Sequence, residues 1–207
     1  MSKPNLILIG AGGHAHACID VIEQSGQFVI SGLIGAESEV GDKHLGYLVI
    51  ATDRELSELA KACQYLLIAV GQIRSAERRI SLYRHAMELG FRLPTIVAPS
   101  AHVSRHAAVG PGTIVMHGAI INAGASVGAN CIVNTRALVE HDATVGDHCH
   151  LSTGAILNGG ARLGTGSFVG SGSVVKEGVS IGSRCVIGMG LSVRRDQADN
   201  IRFVGGE

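Results

Sequence analysis

The 207-residue chain contains no tryptophan, and three tyrosines with four phenylalanines bring its aromatic content to only 3%. Large rings supply much of the buried area of ordinary cores, so this interior is expected to be narrow and filled by aliphatic side chains. Net charge is also lacking, because 17 basic residues balance 17 acidic ones. That balance excludes the basic footprint of a nucleic-acid binder and gives no attraction to an anionic membrane surface. The opening apolar run, Leu6 to Ile9, is far shorter than the roughly 20 residues that cross a bilayer, and no secretory leader is recognisable. Cysteine occurs five times, an odd number, which suggests reduced thiols in a cytoplasmic protein. Each thiol is expected to act as a small hydrophobe. The length accommodates two domains.

What is present is a register. Every sixth residue from Val97 to Val193 is Val, Ile or Leu, and two positions earlier there is usually a small side chain, as at Ala101, Thr113, Ala125, Ala137, Cys149 and Ser173. A second beat overlies the first: Val109-Gly110, Val127-Gly128, Val145-Gly146, Leu163-Gly164 and Ile181-Gly182 recur every eighteen residues. Three hexads therefore make one coil. An α-helix of 3.6 residues per turn scatters a six-residue period around its surface, and each glycine would cost it about 1 kcal/mol. Stacked strands accept the pattern, each coil burying its aliphatics on its neighbours, so residues 93–207 are expected to form a parallel β-helix. Cys131, Cys149 and Cys185 share the small inward position and should stack on one face.

Residues 1–92 read differently. Asn5–Ile9, Phe28–Ile34 and Tyr65–Val70 are aliphatic strands; Ala15–Gln24, Glu55–Ala62 and Arg74–Leu89 are expected helices, the last with Ile80, Tyr83 and Met87 on its apolar face. Such alternation predicts a parallel, Rossmann-like α/β sheet. Between the first strand and helix lies Gly10-Ala11-Gly12-Gly13-His14-Ala15, where glycines let backbone amides approach a phosphate at a helix N-terminus. Read as G-x-G-x-x-A it would suggest a dinucleotide. The acidic residue that should follow for a ribose is missing, however, since the second strand ends Gly35-Ala36 with Glu37 only nearby, and a sugar nucleotide is the better expectation.

Among ten histidines, His102, His106 and His148 are expected at solvated corners. His141 stands apart because Glu140 precedes it and Asp142 follows it; a carboxylate beside an imidazole raises its basicity, as general-base work at neutral pH requires. His150 lies nine residues on, half a coil away. The two should not meet in one chain, and a reaction using both would need a site between subunits.

The hexad array, the Gly-Gly-His turn, Pro99-Ser100-Ala101, the run Asn134 to Asp142 and the following Gly146-Asp147-His148-Cys149-His150 resemble one family over nearly the whole chain. It is the sialic-acid O-acetyltransferase and bacillosamine-type nucleotide-sugar N-acetyltransferase family, within the hexapeptide acyltransferases. The resemblance implies a left-handed β-helix, a homotrimer with intersubunit sites, and transfer of acetyl from acetyl-CoA to the amino group of a UDP-, dTDP- or GDP-linked amino-deoxy sugar, most naturally a 4-amino sugar. By position His141 is implied as the base, Asp142 as the group that sharpens it, and Asn134 as a structural or substrate contact. Gly12, Gly13 and His14 would hold the nucleotide sugar, while His150, Gly159, Ser171 and Met189 would line the acetyl-CoA; no metal is implied. The chain departs from the family in Gly35-Ala36, where acidic residues are usual, and in ending Ile201 to Glu207 without a proline-rich tail.

Other readings are an O-acetyltransferase acting on sialic acid or a related sugar, a zinc hydratase using His117, His141 and His150 between chains, and a non-enzymatic nucleotide sensor. An amine is the better nucleophile near neutral pH, and a full nucleotide-binding domain argues for an activated sugar. N-acetylation is therefore preferred.

Overall fold

A computed structural model describes residues 3–204. The N-terminal part runs β1 (Asn5–Ile9), α1 (Gly13–Ser25), β2 (Val29–Ile34), β3 (Lys43–His44), β4 (Tyr47–Ala51), α2 (Leu56–Ala62), β5 (Tyr65–Ile68) and α3 (Glu77–Glu88). Its sheet has the order β3-β4-β2-β1-β5, parallel except where β3 turns back against β4. The β3–β4 hairpin has no counterpart in the sequence reading. It is only two residues wide on one side, and its Gly41 and Gly46 resemble an irregular loop in composition.

The helix α3 corrects the expected apolar face. Arg79, Leu82 and Ala86 are its buried residues, while Met87 is exposed. Its long arginine occupies a core position because it bonds to backbone carbonyls there, a tertiary requirement that outweighs hydrophobic periodicity.

From Ile96 onwards the chain winds through two-residue strands that stack in three parallel sheets. The first face stacks Ile120, Leu138, Ile156 and Val174 outward, the second Ser126, Thr144, Arg162 and Ser180, and the third Ile96, Ile114, Ile132, His150 and Phe168. The hexad aliphatics point inward with their small partners and form one continuous core. Val97, Val103 and Val109 in the lowest coil are only partly buried, since nothing stacks beneath them.

Two local rules explain the rest of the period. One corner residue in six, from Gly112 to Gly190, has positive φ; it is glycine or one of Asn130, Arg136, Asp142, His148 and Arg184, a conformation costly for most side chains. The eighteen-residue glycine beat has another cause. A Cβ on Gly110 would lie 2.6 Å from the carbonyl carbon of Gly128 in the next coil, so that corner is too close for any side chain.

Cysteines 131, 149 and 185 do share one column, but they are more than small hydrophobes. With Thr113 and Ser167 they form a series eighteen residues apart in which each side chain donates to a carbonyl of the next coil: Thr113 to Gly128 (2.7 Å), Cys131 to Gly146 (3.1 Å), Cys149 to Gly164 (3.1 Å), Ser167 to Gly182 (2.8 Å) and Cys185 to Ala198 (3.1 Å). All five cysteines are free and buried.

The sheet domain sits on the third face. Leu6, Leu8, Ile19 and Ile22 share one cluster with Ile96, Ile114 and Ile132, each of which is worth about 2 kcal/mol once buried. Among the described residues nothing covers the first face in this way, and Ile120 is 39% exposed. No helix among the described residues is long and apolar enough to cross a membrane.

Candidate active site

The turn between β1 and α1 opens a cleft of 690 Å³. Gly10 has φ 124°, and a Cβ there would lie 2.8 Å from the carbonyl oxygen of Ala69; this glycine is demanded by the neighbouring strand end. Gly12 and Gly13 have open space instead, which leaves their backbone accessible. No acidic residue occupies the first turn of α1, so the positive end of the helix is free to attract an anion.

Acidic residues do reach the far wall of the cleft, contrary to the sequence expectation. A short 3₁₀ turn after β2 carries Glu37 and Glu39 into the lining, where Arg54 approaches Glu37 at 3.6 Å. Glu39 also accepts from the Ala36 amide at 2.6 Å. The strand end at Ile34 was expected, but the short helical turn that carries these carboxylates has no signature in the spacing.

A second cleft, of 750 Å³, lies between the sheet domain and the coil, and shares Gly13, His14 and Gly71 with the first. His14 thus stands where the two cavities meet. Burial, aided by the Arg79 charge and by His150, pulls its pKa down to about 3, so the ring is neutral. Asn134, His150, Ser171 and Met189 line the second cleft. His150 is 6% exposed; its Nδ1 lies 2.5 Å from the Gln72 carbonyl oxygen and its Nε2 3.1 Å from Asn134 Nδ2. Burial lowers its pKa to about 4, against the opposing effect of the Gln72 bond and with a further push from Arg79. Met189 is 77% exposed at the rim, and Ser171 Oγ lies 2.8 Å from Ser152 Oγ.

His141 and Asp142 lie elsewhere, on the corner between the first and second faces and in neither cleft. Asp142 Oδ2 is 3.0 Å from His141 Nδ1, a bond that raises the imidazole above its ordinary range despite slight desolvation; the charges of Asp142 and Glu140 act in the same direction. Glu140 accepts from the His141 backbone amide at 3.0 Å. With Nδ1 held by a carboxylate, Nε2 is left to take a proton from an incoming group. Gly159 lies one coil above, directly against the ring.

Several residues escaped the sequence reading. Arg79, fully buried, bonds to the carbonyls of Ile68 (2.8 Å), Val70 (2.6 Å) and Asn130 (3.0 Å) and to Asn130 Oδ1 (2.7 Å). It ties the sheet domain to the coil at the Asn130 corner, between the second and third faces. Asn130 in turn meets His148 Nδ1 at 3.0 Å, and Tyr83 packs edge-on against that ring, so His148 is not the solvated corner expected. An arginine on the Leu82–Ala86 stripe of α3 was the available signal. His117 bonds Asp20 at 2.8 Å and Ser100 at 3.3 Å, well apart from the partners of His141 and His150, and no three ligating side chains converge among the described residues.

Residues 5–83 match the PglD N-terminal domain, and residues 160–195 match the hexapeptide repeat of succinyl-transferase. The chain is 34% identical to the H141N mutant of perosamine N-acetyltransferase from Caulobacter crescentus, in complex with CoA and GDP-perosamine, with a TM-score of 0.90 over 96% of this chain and 92% of that one. It is 31% identical to the acetyltransferase domain of PglB from Neisseria gonorrhoeae in complex with acetyl coenzyme A, with a TM-score of 0.88 over 96% and 95% of the two chains. WeeI from Acinetobacter baumannii, at 16% identity and a TM-score of 0.72 over 92% of this chain and 94% of that one, shares the fold. A search of curated protein sequences finds no match. The architecture is a Rossmann-like α/β sheet followed by a left-handed parallel β-helix, and the chain belongs to the sialic-acid O-acetyltransferase and nucleotide-sugar N-acetyltransferase family of hexapeptide acetyltransferases.

Proposed function

We propose that this enzyme moves acetyl from acetyl-CoA onto the amino group of a nucleotide-linked 4-amino sugar, with residues 1–92 gripping the nucleotide and residues 93–207 carrying the transfer. The observation that carries this reading is the meeting of two clefts at His14. The glycine turn and the free end of α1 suit a pyrophosphate in the first, through Gly12, Gly13 and His14. The second offers a long groove, apolar at Met189 and polar at Asn134, His150 and Ser171, which suits the mixed character of a pantetheine arm. The similar Caulobacter enzyme holds CoA and GDP-perosamine together, and the Neisseria domain holds acetyl coenzyme A.

In this mechanism the amine attacks the thioester carbonyl directly, the N–C bond forms, and the C–S bond then breaks to release CoA. His141 accepts the amine proton at Nε2 and returns it to the departing thiolate, while Asp142 holds the ring and steadies its positive charge. A positioned base of this kind contributes about 10²–10⁴-fold, and holding both substrates in place can supply more. No covalent acyl-enzyme is required.

The reading calls for a homotrimer. His141 is outside both clefts of its own chain, and the first face presents an uncovered apolar stripe of Ile120, Leu138, Ile156 and Val174. Three such faces turned toward a common axis would bring the first–second corner of one protomer, with His141, Asp142 and Gly159, to the first–third corner of the next, with Asn134, Ser171 and Met189. The balanced charge and free cysteines fit a cytoplasmic enzyme.

The test is incubation with acetyl-CoA and a panel of UDP-, dTDP- and GDP-linked 4-amino sugars, followed by mass spectrometry. Acetylation of one amine, lost in His141→Ala, is expected. Turnover of free sialic acid with none of the amino sugars would replace this reading with O-acetylation.

A further inference from the structure

We infer that Gly124 and Gly159, from the coils on either side of the His141 corner, are positioning residues that hold the Asp142–His141 pair in its working geometry. The inference rests on the proposed role of His141 as base. A Cβ on Gly159 would lie 2.6 Å from His141 Nε2 and 2.7 Å from Cε1, so the imidazole occupies its orientation only because the residue above has no side chain. The φ of Gly159 is not positive, and the same corner position in the other coils carries Ala123, His141 itself and Glu177. The coil therefore tolerates side chains at this position, and the ring is what requires glycine here.

Gly124 does the same for the carboxylate. A Cβ there would fall on Asp142 Oδ1 and lie 3.3 Å from its Cγ, while Oδ2 of the same group holds His141 Nδ1. Gly124 has φ +76°, but so do neighbours in its column with comparable values, Gly160 and Gly178, and a Cβ on either would meet nothing within 4 Å. Asp142 shows that this column accepts a side chain at positive φ. The contact to the carboxylate distinguishes Gly124 from those open sites. The charged groups acting on His141 are Asp142 and Glu140, the latter held by the His141 amide and by Asn122.

The two glycines predict different failures. Gly159→Ala should displace the ring and lower kcat by about 10–100-fold, with KM for acetyl-CoA changed less than about threefold. Gly124→Ala should push Asp142 from Nδ1; because that bond raises the imidazole, its loss moves the acid limb of kcat/KM to lower pH. Asp142→Asn should move the limb likewise, and the Gly124→Ala/Asp142→Asn double variant should lose little more than Asp142→Asn alone. Gly178→Ala, with similar backbone strain and no contact, should leave rate and pH profile unchanged. A ¹⁵N titration of the His141 imidazole in the intact protein reads the geometry without turnover, so it separates failure of this inference from failure of the assigned reaction. Gly159→Ala carries no positive-φ strain and preserves the test if the Gly124 variant does not fold. An increase confined to the acetyl-CoA KM in Gly159→Ala, or a His141 titration in Gly124→Ala identical to that in Gly178→Ala, would overturn the inference.

Discussion

Asn134 and His150 hold each other: Nδ2 of the amide donates to Nε2 of the imidazole at 3.1 Å, while the opposite ring nitrogen donates to the Gln72 carbonyl. A residue of the coil's third face is thereby fastened to the loop that follows β5. Both ring nitrogens are occupied, so of this pair only the Asn134 amide keeps an uncommitted donor hydrogen.

The neutral histidines make stability depend on pH. His150 and His14 are held at about 4 and about 3, below the 6.5 of an unfolded chain. The unfolded state therefore binds protons first as pH falls, and stability present above pH 6.5 is lost below it. Each group costs up to about 1.4 kcal/mol per pH unit, levelling off once the folded pKa is passed. Urea midpoints measured from pH 7 to pH 5 should fall steadily, and a flat profile would contradict the buried, neutral assignment.

Arg79 links the two domains through four acceptors, two of them on Asn130. Arg79→Met keeps most of the volume but leaves buried carbonyls without a donor. The expected loss is about 3 kcal/mol in urea unfolding. A loss below about 1 kcal/mol would show that water takes the place of the guanidinium.

The glycines of the first turn should separate by role. In Gly10→Ala the new methyl meets the Ala69 backbone at a φ that L-residues avoid, and Tm should fall on the order of 10 °C. Gly12→Ala has room. It should fold normally yet raise the KM for the nucleotide sugar, since its methyl stands where a phosphate would approach. Equal Tm values for the two variants would refute the distinction.

Placing a charge on the first face should dissociate the proposed trimer. Ile120→Asp puts a carboxylate into the apolar stripe, where burial without a partner is costly. Sedimentation is expected to show monomers at micromolar concentration, with acetyl transfer lost although every residue of the coil core is intact. Full activity from a monomer would remove the intersubunit site.

Much of the coil was legible beforehand because its rule is local. Each inward aliphatic from Val97 to Val193 meets its own counterpart eighteen residues away, so periodicity and contact coincide. The His141–Asp142 pair was legible for the same reason, the two being adjacent in the chain. The buried face of α3 was not, because Arg79 is inside to satisfy carbonyls from β5 and the coil, and hydrophobicity carries no trace of that. The reach of Glu37 and Glu39 into the cleft was hidden because the 3₁₀ turn that places them is closed by the Glu39 bond to the Ala36 amide, which strand-to-residue spacing does not reveal.

Sequence alone thus determined the repeat and the pairing of its corner histidine with the carboxylate that follows it. Tertiary structure decided what lies next to what: His14 at the junction of two clefts, His150 shut beneath Gln72, Arg79 between the domains, and an apolar face without a cover. The physical reason is range. A repeat's energy comes from neighbours at fixed separation, whereas a cleft, a buried cation or an open face depends on how a folded sheet is seated on a coil distant in sequence.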